Sequence, residues 1–403
     1  MANNNENKVL NVPHLRFPEF GGDWKMERLD EIATLSKGIG ISKEELSDDG
    51  EPCILYGELY TKYKSEIINE IYSKTDIDNS KLKRSNANDV IIPCSGETAE
   101  DIATARCIPF DNILLGGDLN IISLHQHNGA FMSYQLNGKR KFDIARVAQG
   151  VSVVHLYGEH LKAIMTYNPC LQEQQKIAKL LSLIDERIAT QNKIIDKLQS
   201  LIKGLVDELM TVLLKGKLYP FSSFYIKAGE GGTPTTSVVE YYTEGTIPFI
   251  KIEDLSCKYL TNNKDFITEL GMQKSSAWLI PSKSVIYSNG ATIGAISINE
   301  YPVCTKQGIL GIVPNTNINV EYLYLLMSSS YFSKEISRII TEGTMKTAYL
   351  KDINHIKCPL PSMAQQKNIT NLTSSIEEKL SIEQELLRFL NLQKQYLLHM
   401  IFI

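Results

Sequence analysis

The chain has 403 residues, enough for two domains of ordinary size with proper cores. An apolar content of 43% excludes disordered and fibrous classes. The formal net charge of −4 withholds the basic balance that a nucleic-acid binder usually shows, although local patches steer binding more than net charge does.

The polar start MANNNENK lacks the apolar stretch of a signal peptide, and no run of about 18 apolar residues is present to span a bilayer. A cytoplasmic protein with no membrane role is expected. The seven cysteines are scattered, none in a C-x-x-C spacing, which suits reduced thiols and argues against zinc.

Residues 16–168 carry short β-prone runs such as Val90 to Pro93 and Asn120 to Leu124, then a helical stretch from Phe131 to Gln149. Pro169 precedes a long apolar stripe that steps by 4 and 3: Ile177, Leu181, Ile184, Ile188, Gln191, Ile195, Leu198, Ile202, Leu205, Leu209 and Val212. About five heptads of this kind predict a long coiled-coil helix, closed by Gly216 and Pro220.

Residues 217–360 repeat the first texture, with β-prone runs at Ile247 to Ile252, Ser284 to Tyr287 and Gly308 to Val313, and a helical stretch from Val320 to Ile340. A second stripe follows: Ile369, Thr373, Ile376, Leu380, Glu383, Leu387, Leu390, Lys394, Leu397 and Ile401. The two stripes are copies. At a single shift of 192 residues Pro169 falls on Pro361, Gln174 on Gln366, Ile177 on Ile369, Ile184 on Ile376 and Leu205 on Leu397.

The fold class expected is therefore α+β: two mixed α+β domains separated by two long helices with coiled-coil seams, as an internal repeat. The boundaries read as 1–170 for the first domain, 171–215 for the first helix, 216–362 for the second domain and 363–403 for the second helix. Antiparallel pairing would bring the polar seam residues Gln191 and Glu383 together, which cysteines placed at both positions would test by crosslinking. The alternative is that both face water where the seam opens.

Catalytic motifs are missing. Asn168-Pro169-Cys170-Leu171 lacks the second proline and the aromatic of an amine methyltransferase, and it sits where a helix starts. Gly38 to Gly40 has no helix-opening glycine after it, and no phosphate-binding G-x-x-x-x-G-K-(S/T) occurs. His125 and His127 alternate as strand neighbours without a visible third ligand, so they read as surface residues and no metal site is expected.

A binding role remains. Basic clusters interleave with aromatics and small polar residues in both halves: Tyr60 to Lys64, Lys81 to Arg84 and Lys139 to Lys141 in the first, and Lys251, Lys306-Gln307 and Lys346 in the second. Such side chains neutralise phosphates or read base edges. Each cluster can equally be a solvated face.

At this point the chain resembles the specificity subunits of type I restriction–modification systems. PHLRFPEF at Pro13 to Phe20 followed by Trp24, and ISKEELSDDGEPCILYGELYTKY at Ile41 to Tyr63, resemble that family's N-terminal segment and one subtype of its target-recognition domain. GGTPTT at Gly231 to Thr236 with IPFIKIEDL at Ile247 to Leu255 resembles another subtype. QEQQKI at Gln172 to Ile177 and AQQKNI at Ala364 to Ile369, with the helix ends Leu201 to Met210 and Gln393 to Phe402, resemble its conserved regions. The second helix start reads SMAQQKN rather than an acidic E-Q-Q-K-I, and its seam is more polar.

The resemblance implies two target-recognition domains that each read half of an asymmetric, bipartite sequence in double-stranded DNA. It implies that the two helices pair as an antiparallel coiled coil with pseudo-two-fold symmetry and act as a ruler, with half-sites about one helical turn (roughly 34–36 Å) apart. Two modification subunits would bring methyltransferase activity and S-adenosylmethionine, and restriction subunits would bring ATP, magnesium and cleavage. This chain itself would be non-catalytic and hold no cofactor. By position, the expected DNA-binding residues are Lys62, Tyr63, Lys81, Lys83, Arg84, Ser95, Glu97, Thr98, Lys139, Arg140 and Lys141 in the first domain. In the second they are Thr233, Lys251, Ser288, Asn289, Thr292, Lys306, Gln307 and Lys346. The rival readings are a fused restriction–modification enzyme and a coiled-coil adaptor without a DNA role.

Overall fold

The structure is a computed structural model that describes residues 11–78, 80–150, 153–290, 292–340 and 346–403. The N-terminal octapeptide on which the signal-peptide reading rests lies outside the described residues. The chain divides into two compact units, Met1–Asn192 with Glu385–Ile403, and Lys193–Gln384. Both long helices form, Leu171–Leu213 with 43 residues and Met363–Ile401 with 39. At about 1.5 Å per residue each is roughly 60 Å long. The boundaries expected from sequence set each helix apart as a segment, whereas packing shares each helix between the two units.

In the first unit a four-stranded antiparallel sheet runs in the order Ala33–Lys37, Leu119–Leu124, Asp89–Pro93, Arg106–Ile108. The central strands are apolar on both faces because each face is covered: Val90 and Ile92 join one apolar cluster, Ile91 and Ile121 another. A five-stranded sheet beside it places Glu51–Ile54 parallel to Leu114–Leu115, with Lys83–Arg84 at its edge. Lys25–Arg28 pairs antiparallel with Met165–Asn168, closing the domain where the first long helix begins.

The second unit repeats this plan. Its main sheet runs Tyr225–Glu230, Ile309–Pro314, Val285–Ser288, Ile296–Asn299, Tyr259–Leu260, and Leu218–Pro220 pairs with Lys357–Pro359 before the second long helix. A three-stranded sheet holds Ile247–Ile250 parallel to Cys304–Thr305.

The helical stretches expected as single pieces are each two helices. Gly138 separates Gly129–Asn137 from Lys141–Val147, and Ser329, which caps the next helix by accepting from Phe332 N, separates Val320–Ser328 from Ser330–Ile339.

Within each unit the long helices run antiparallel. Ile177, Ala178 and Leu181 pack with Leu397, Ile401 and Phe402 in the first, and Val206 and Met210 share a core with Ile369 in the second. Every expected seam residue is buried or half-buried except Val212, which is exposed. The stripe drifts by one position, to Val206 and Met210, because a straight helix of 3.6 residues per turn walks about 20° per heptad away from a strict seven-residue repeat. Gln191 is buried, so the reading in which it faces water fails; Glu383 is half-buried beside Lys379 at 3.6 Å on its own helix.

All seven cysteines are free, and among the described residues no helix is long and apolar enough to cross a membrane.

Candidate nucleic-acid interface

In each unit one end of the main sheet gathers loops. In the first it is the end where Ala33–Lys37 and Asp89–Pro93 finish and Leu119–Leu124 begins. Gly38 N donates to Leu119 O (2.9 Å), Ile39 N to Leu115 O (3.1 Å), Gly116 N to Ile54 O (3.0 Å), Cys94 N to Asp118 O (2.7 Å), and Leu156 N to Cys94 O (2.8 Å).

The second unit makes the same bonds. Gly231 N donates to Ile309 O (2.9 Å), Gly232 N to Thr305 O (3.0 Å), Lys306 N to Ile250 O (2.9 Å), Asn289 N to Gly308 O (3.0 Å), and Ala348 N to Asn289 O (2.9 Å). Gly38 and Gly231 occupy one position of this plan. A Cβ on Gly38 would strike the carbonyl of Gly116, and one on Gly231 that of Thr305, so close approach of two backbones demands glycine at both.

Equivalent bonds assign equivalent residues, and the side chains then differ. Gly116-Gly117 of the first unit stands where Lys306-Gln307 stands in the second, and both of the latter are exposed. Cys94 stands where Asn289 stands. Burial pushes the Cys94 thiol up to about 11, so it stays neutral, and Lys37 reaches Asp118 at 3.1 Å beside it.

The residues expected to touch DNA sort into three groups. Glu97, Thr98, Thr233, Thr292, Lys306, Gln307 and Lys346 flank these loops with exposed or half-exposed side chains. Thr98 also caps Ala99–Ile102 by accepting from Asp101 N, and Thr233 Oγ1 accepts from Gln307 N at 3.5 Å. Lys251 follows Ile250 into the same cluster; its hydrogen bond to Asp265 (2.8 Å) raises its pKa.

A second group is framework. Ser95, Ser288 and Asn289 are buried, Ser95 Oγ lying 3.2 Å from His155 Nδ1 and Asn289 Nδ2 donating to Ala348 O (3.1 Å). Tyr63 is buried, and its hydroxyl pKa is raised by that burial. These four side chains are buried in the framework beneath the loops and do not project from them, unlike the exposed group expected alongside them to bind DNA. Lys62 is held by Glu58 (2.6 Å) and Ser73 (3.0 Å).

The third group lies elsewhere. Lys83 and Arg84 form an edge strand, where Arg84 pairs with Glu51 (2.6 Å), and Lys81 is exposed just before it. Lys139, Arg140 and Lys141 turn the corner between two helices, where Arg140 bonds Asp143 (3.2 Å) and the carbonyl of Ile403 (3.1 Å). That corner belongs to the end of the second long helix and not to the loop cluster.

Sequence reasoning missed a pair of tyrosines. Tyr157 and Tyr349 directly follow Leu156 and Ala348, are 55% and 47% exposed, and sit at the N-caps of Gly158–Lys162 and Leu350–Ile353. They differ by the same 192 residues as the helix repeat, the signal that would have found them. Among the described residues no cluster of His, Cys, Asp and Glu could hold a metal ion.

The sequence profile of the type I restriction modification DNA specificity domain matches this chain twice, at residues 21–200 and 224–391. The chain belongs to that family. A specificity subunit of this family from Methanocaldococcus jannaschii, MjaVIII, is 25% identical over 92% of this chain and 89% of its own length. The MjaIX specificity subunit of the same organism is 30% identical over 37% of this chain and 35% of its own length. The EcoR124I/EcoR124II specificity subunit of Escherichia coli is 28% identical over 51% of this chain and 55% of its own length.

The specificity-subunit fold is shared with the crystal structure of the type I S subunit from M. genitalium, with a TM-score of 0.58 and 19% identity over 97% of this chain and 99% of that one. A chain from a structure of type I restriction–modification complex assembly gives 0.56 and 15% identity over 95% and 98%. The two profile matches end in the two long helices, so the unit that the family repeats is a domain with its helix.

Proposed function

We propose that this chain is the DNA-recognition subunit of a type I restriction–modification complex and that each loop cluster reads one half of an asymmetric bipartite target. The observation that carries this is the repeated loop frame: identical backbone bonds hold Gly116-Gly117 in one unit and Lys306-Gln307 in the other. A constant frame with exchangeable side chains is what two different half-sites require. Gln307 has the donor and acceptor to pair with adenine, Lys306 can bond guanine or a phosphate, and Glu97 can accept from a cytosine amine. The exposed Tyr157 and Tyr349 add an apolar ring with a polar tip beside each frame.

The chain works without chemistry of its own in this reading. Two modification subunits dock along the long helices and bring S-adenosylmethionine, and restriction subunits bring ATP and magnesium. The helices set the distance between the half-sites. Partner subunits also supply much of the grip on phosphates, which fits the net charge of −4.

The decisive experiment maps N6-methyladenine across the genome with and without this chain. A bipartite motif that disappears on deletion is expected. An unchanged map, or a reconstituted complex that pulls down DNA without sequence preference, would return the chain to an adaptor role. Methylation by the purified chain alone would overturn its assignment as non-catalytic.

A further inference from the structure

The duplication places Glu66 and Lys258 at one position. Cys107 N donates to Glu66 O (2.8 Å) and Ile298 N to Lys258 O (2.7 Å), and each residue opens a short segment lying parallel to the strand that it bonds. The shift of 192 residues also pairs Asp185 with Glu377 on the helix starts, and Lys394 with Ile202 on the helix ends.

In the first unit these positions form a buried ion cluster. Lys394 Nζ lies 2.5 Å from Glu66 and 2.7 Å from Asp185. Asp185 also accepts from Tyr134 OH (2.7 Å) and Ser65 Oγ (3.1 Å). Burial lowers the lysine's pKa, but the two carboxylates together outweigh it and hold Lys394 above its ordinary value.

In the second unit the ammonium stands on the domain and the helix start keeps its carboxylate. Lys258 Nζ lies 2.5 Å from Glu377 and 3.7 Å from Glu321, and Ile202 takes the place of the third charge. A cavity of about 820 Å³ opens there, lined by Ile202, Lys258, Glu321, Tyr324 and Glu377 among others.

We propose that position 66/258 is a charge key that matches each recognition domain to its own portion of the long helices. The portion presenting Asp185 and Lys394 accepts a domain with a carboxylate at this position. The portion presenting Glu377 and Ile202 accepts a domain with an ammonium. A domain seated in the wrong place would leave Glu66 facing Glu377 without an ammonium between them, or would set Lys258 beside Lys394 in the buried cluster. Breaking a buried pair in this way costs far more than the pair contributes. The two recognition domains are therefore not interchangeable as they stand, whatever DNA they read.

Substitution in the full chain tests this, read by hydrogen exchange at the strand Arg106–Ile108, with Ile296–Asn299 of the second unit as internal control. Glu66→Lys and Lys394→Ile should each speed exchange in the first unit by roughly a hundredfold or more. The double variant recreates the Lys258, Glu377, Ile202 arrangement and should return to within about tenfold of the parent. If Glu66→Lys yields no folded chain, recovery of folded protein on adding Lys394→Ile is the supporting result. In the second unit Lys258→Glu should loosen Ile296–Asn299, and Ile202→Lys should restore it. A double variant that loses as much as its two singles together, or a Glu66→Lys chain that exchanges like the parent, would overturn the key.

Discussion

The two units share a hydrogen-bond plan and differ in the charges hung on it. The shared part extends beyond the loops to the helix starts. Gln174 and Gln366 are both buried; each accepts from the backbone N–H of a capping asparagine, Asn128 at 2.9 Å or Asn319 at 2.7 Å. Each then donates to a proline carbonyl, Pro169 or Pro361, both at 2.9 Å. The third contact differs, being His127 Nδ1 in the first unit and Asn317 O in the second. Bonds between backbone groups survive duplication because they depend on chain path alone, whereas ion pairs depend on two side chains that can change together.

That comparison can be broken most directly at the glutamines. Gln174→Leu or Gln366→Leu leaves a buried N–H and a buried carbonyl without partners, and should cost about 2–3 kcal/mol in the unit that carries it. Hydrogen exchange resolved by unit checks this; loosening in the other unit would show that the latches are not local.

A smaller effect should separate the loop frames. Gln307→Ala should weaken DNA binding by about 1–3 kcal/mol and relax selectivity in one half-site alone. Lys306→Ala, if Lys306 meets phosphate, should weaken binding evenly and flatten the salt dependence by about one ion. Binding titrations at several salt concentrations, on targets varied in each half, distinguish the two. Loss of selectivity in both half-sites would contradict the assignment of one frame to each.

The smallest effect is acid sensitivity confined to the first unit. Burial lowers the pKa of His127, against the opposing pull of Glu27 and the hydrogen bond with Gln174. A histidine with a lowered folded pKa contributes stability that is present above its unfolded value of about 6.5 and lost as pH falls through the folded one. The second unit has the buried Ile318 at that place and should not respond. Exchange measured between pH 7 and pH 5 would test it, and an equal response in both units would rule out His127.

The helices were legible in sequence because a seam of apolar residues every three to four positions leaves only one way to bury it. The strands Leu119–Leu124 and Ile309–Pro314 were legible for a similar reason, as short apolar runs between turn residues. The site was legible only in part. Thr233, Lys306 and Gln307 lie in loops with exposed or half-exposed side chains, but Ser288 and Asn289 looked the same in sequence and are buried. Lys139 to Lys141 formed the most obvious basic cluster and turn a corner against the end of the chain. Lys394 was only one polar position of the second stripe in sequence and is the centre of an ion cluster.

The sequence by itself determined the duplication, the two long helices and the absence of familiar catalytic motifs, since these rest on periodicity and spacing along one chain. Tertiary structure alone decided which polar residues are framework and which are free, and that Gly38 and Gly231 serve one purpose. It also decided that Glu66 and Lys258 are counterparts of opposite sign. Those facts depend on which segments distant in sequence meet, and burial turns a charge from a solvated tip into a demand for one particular partner.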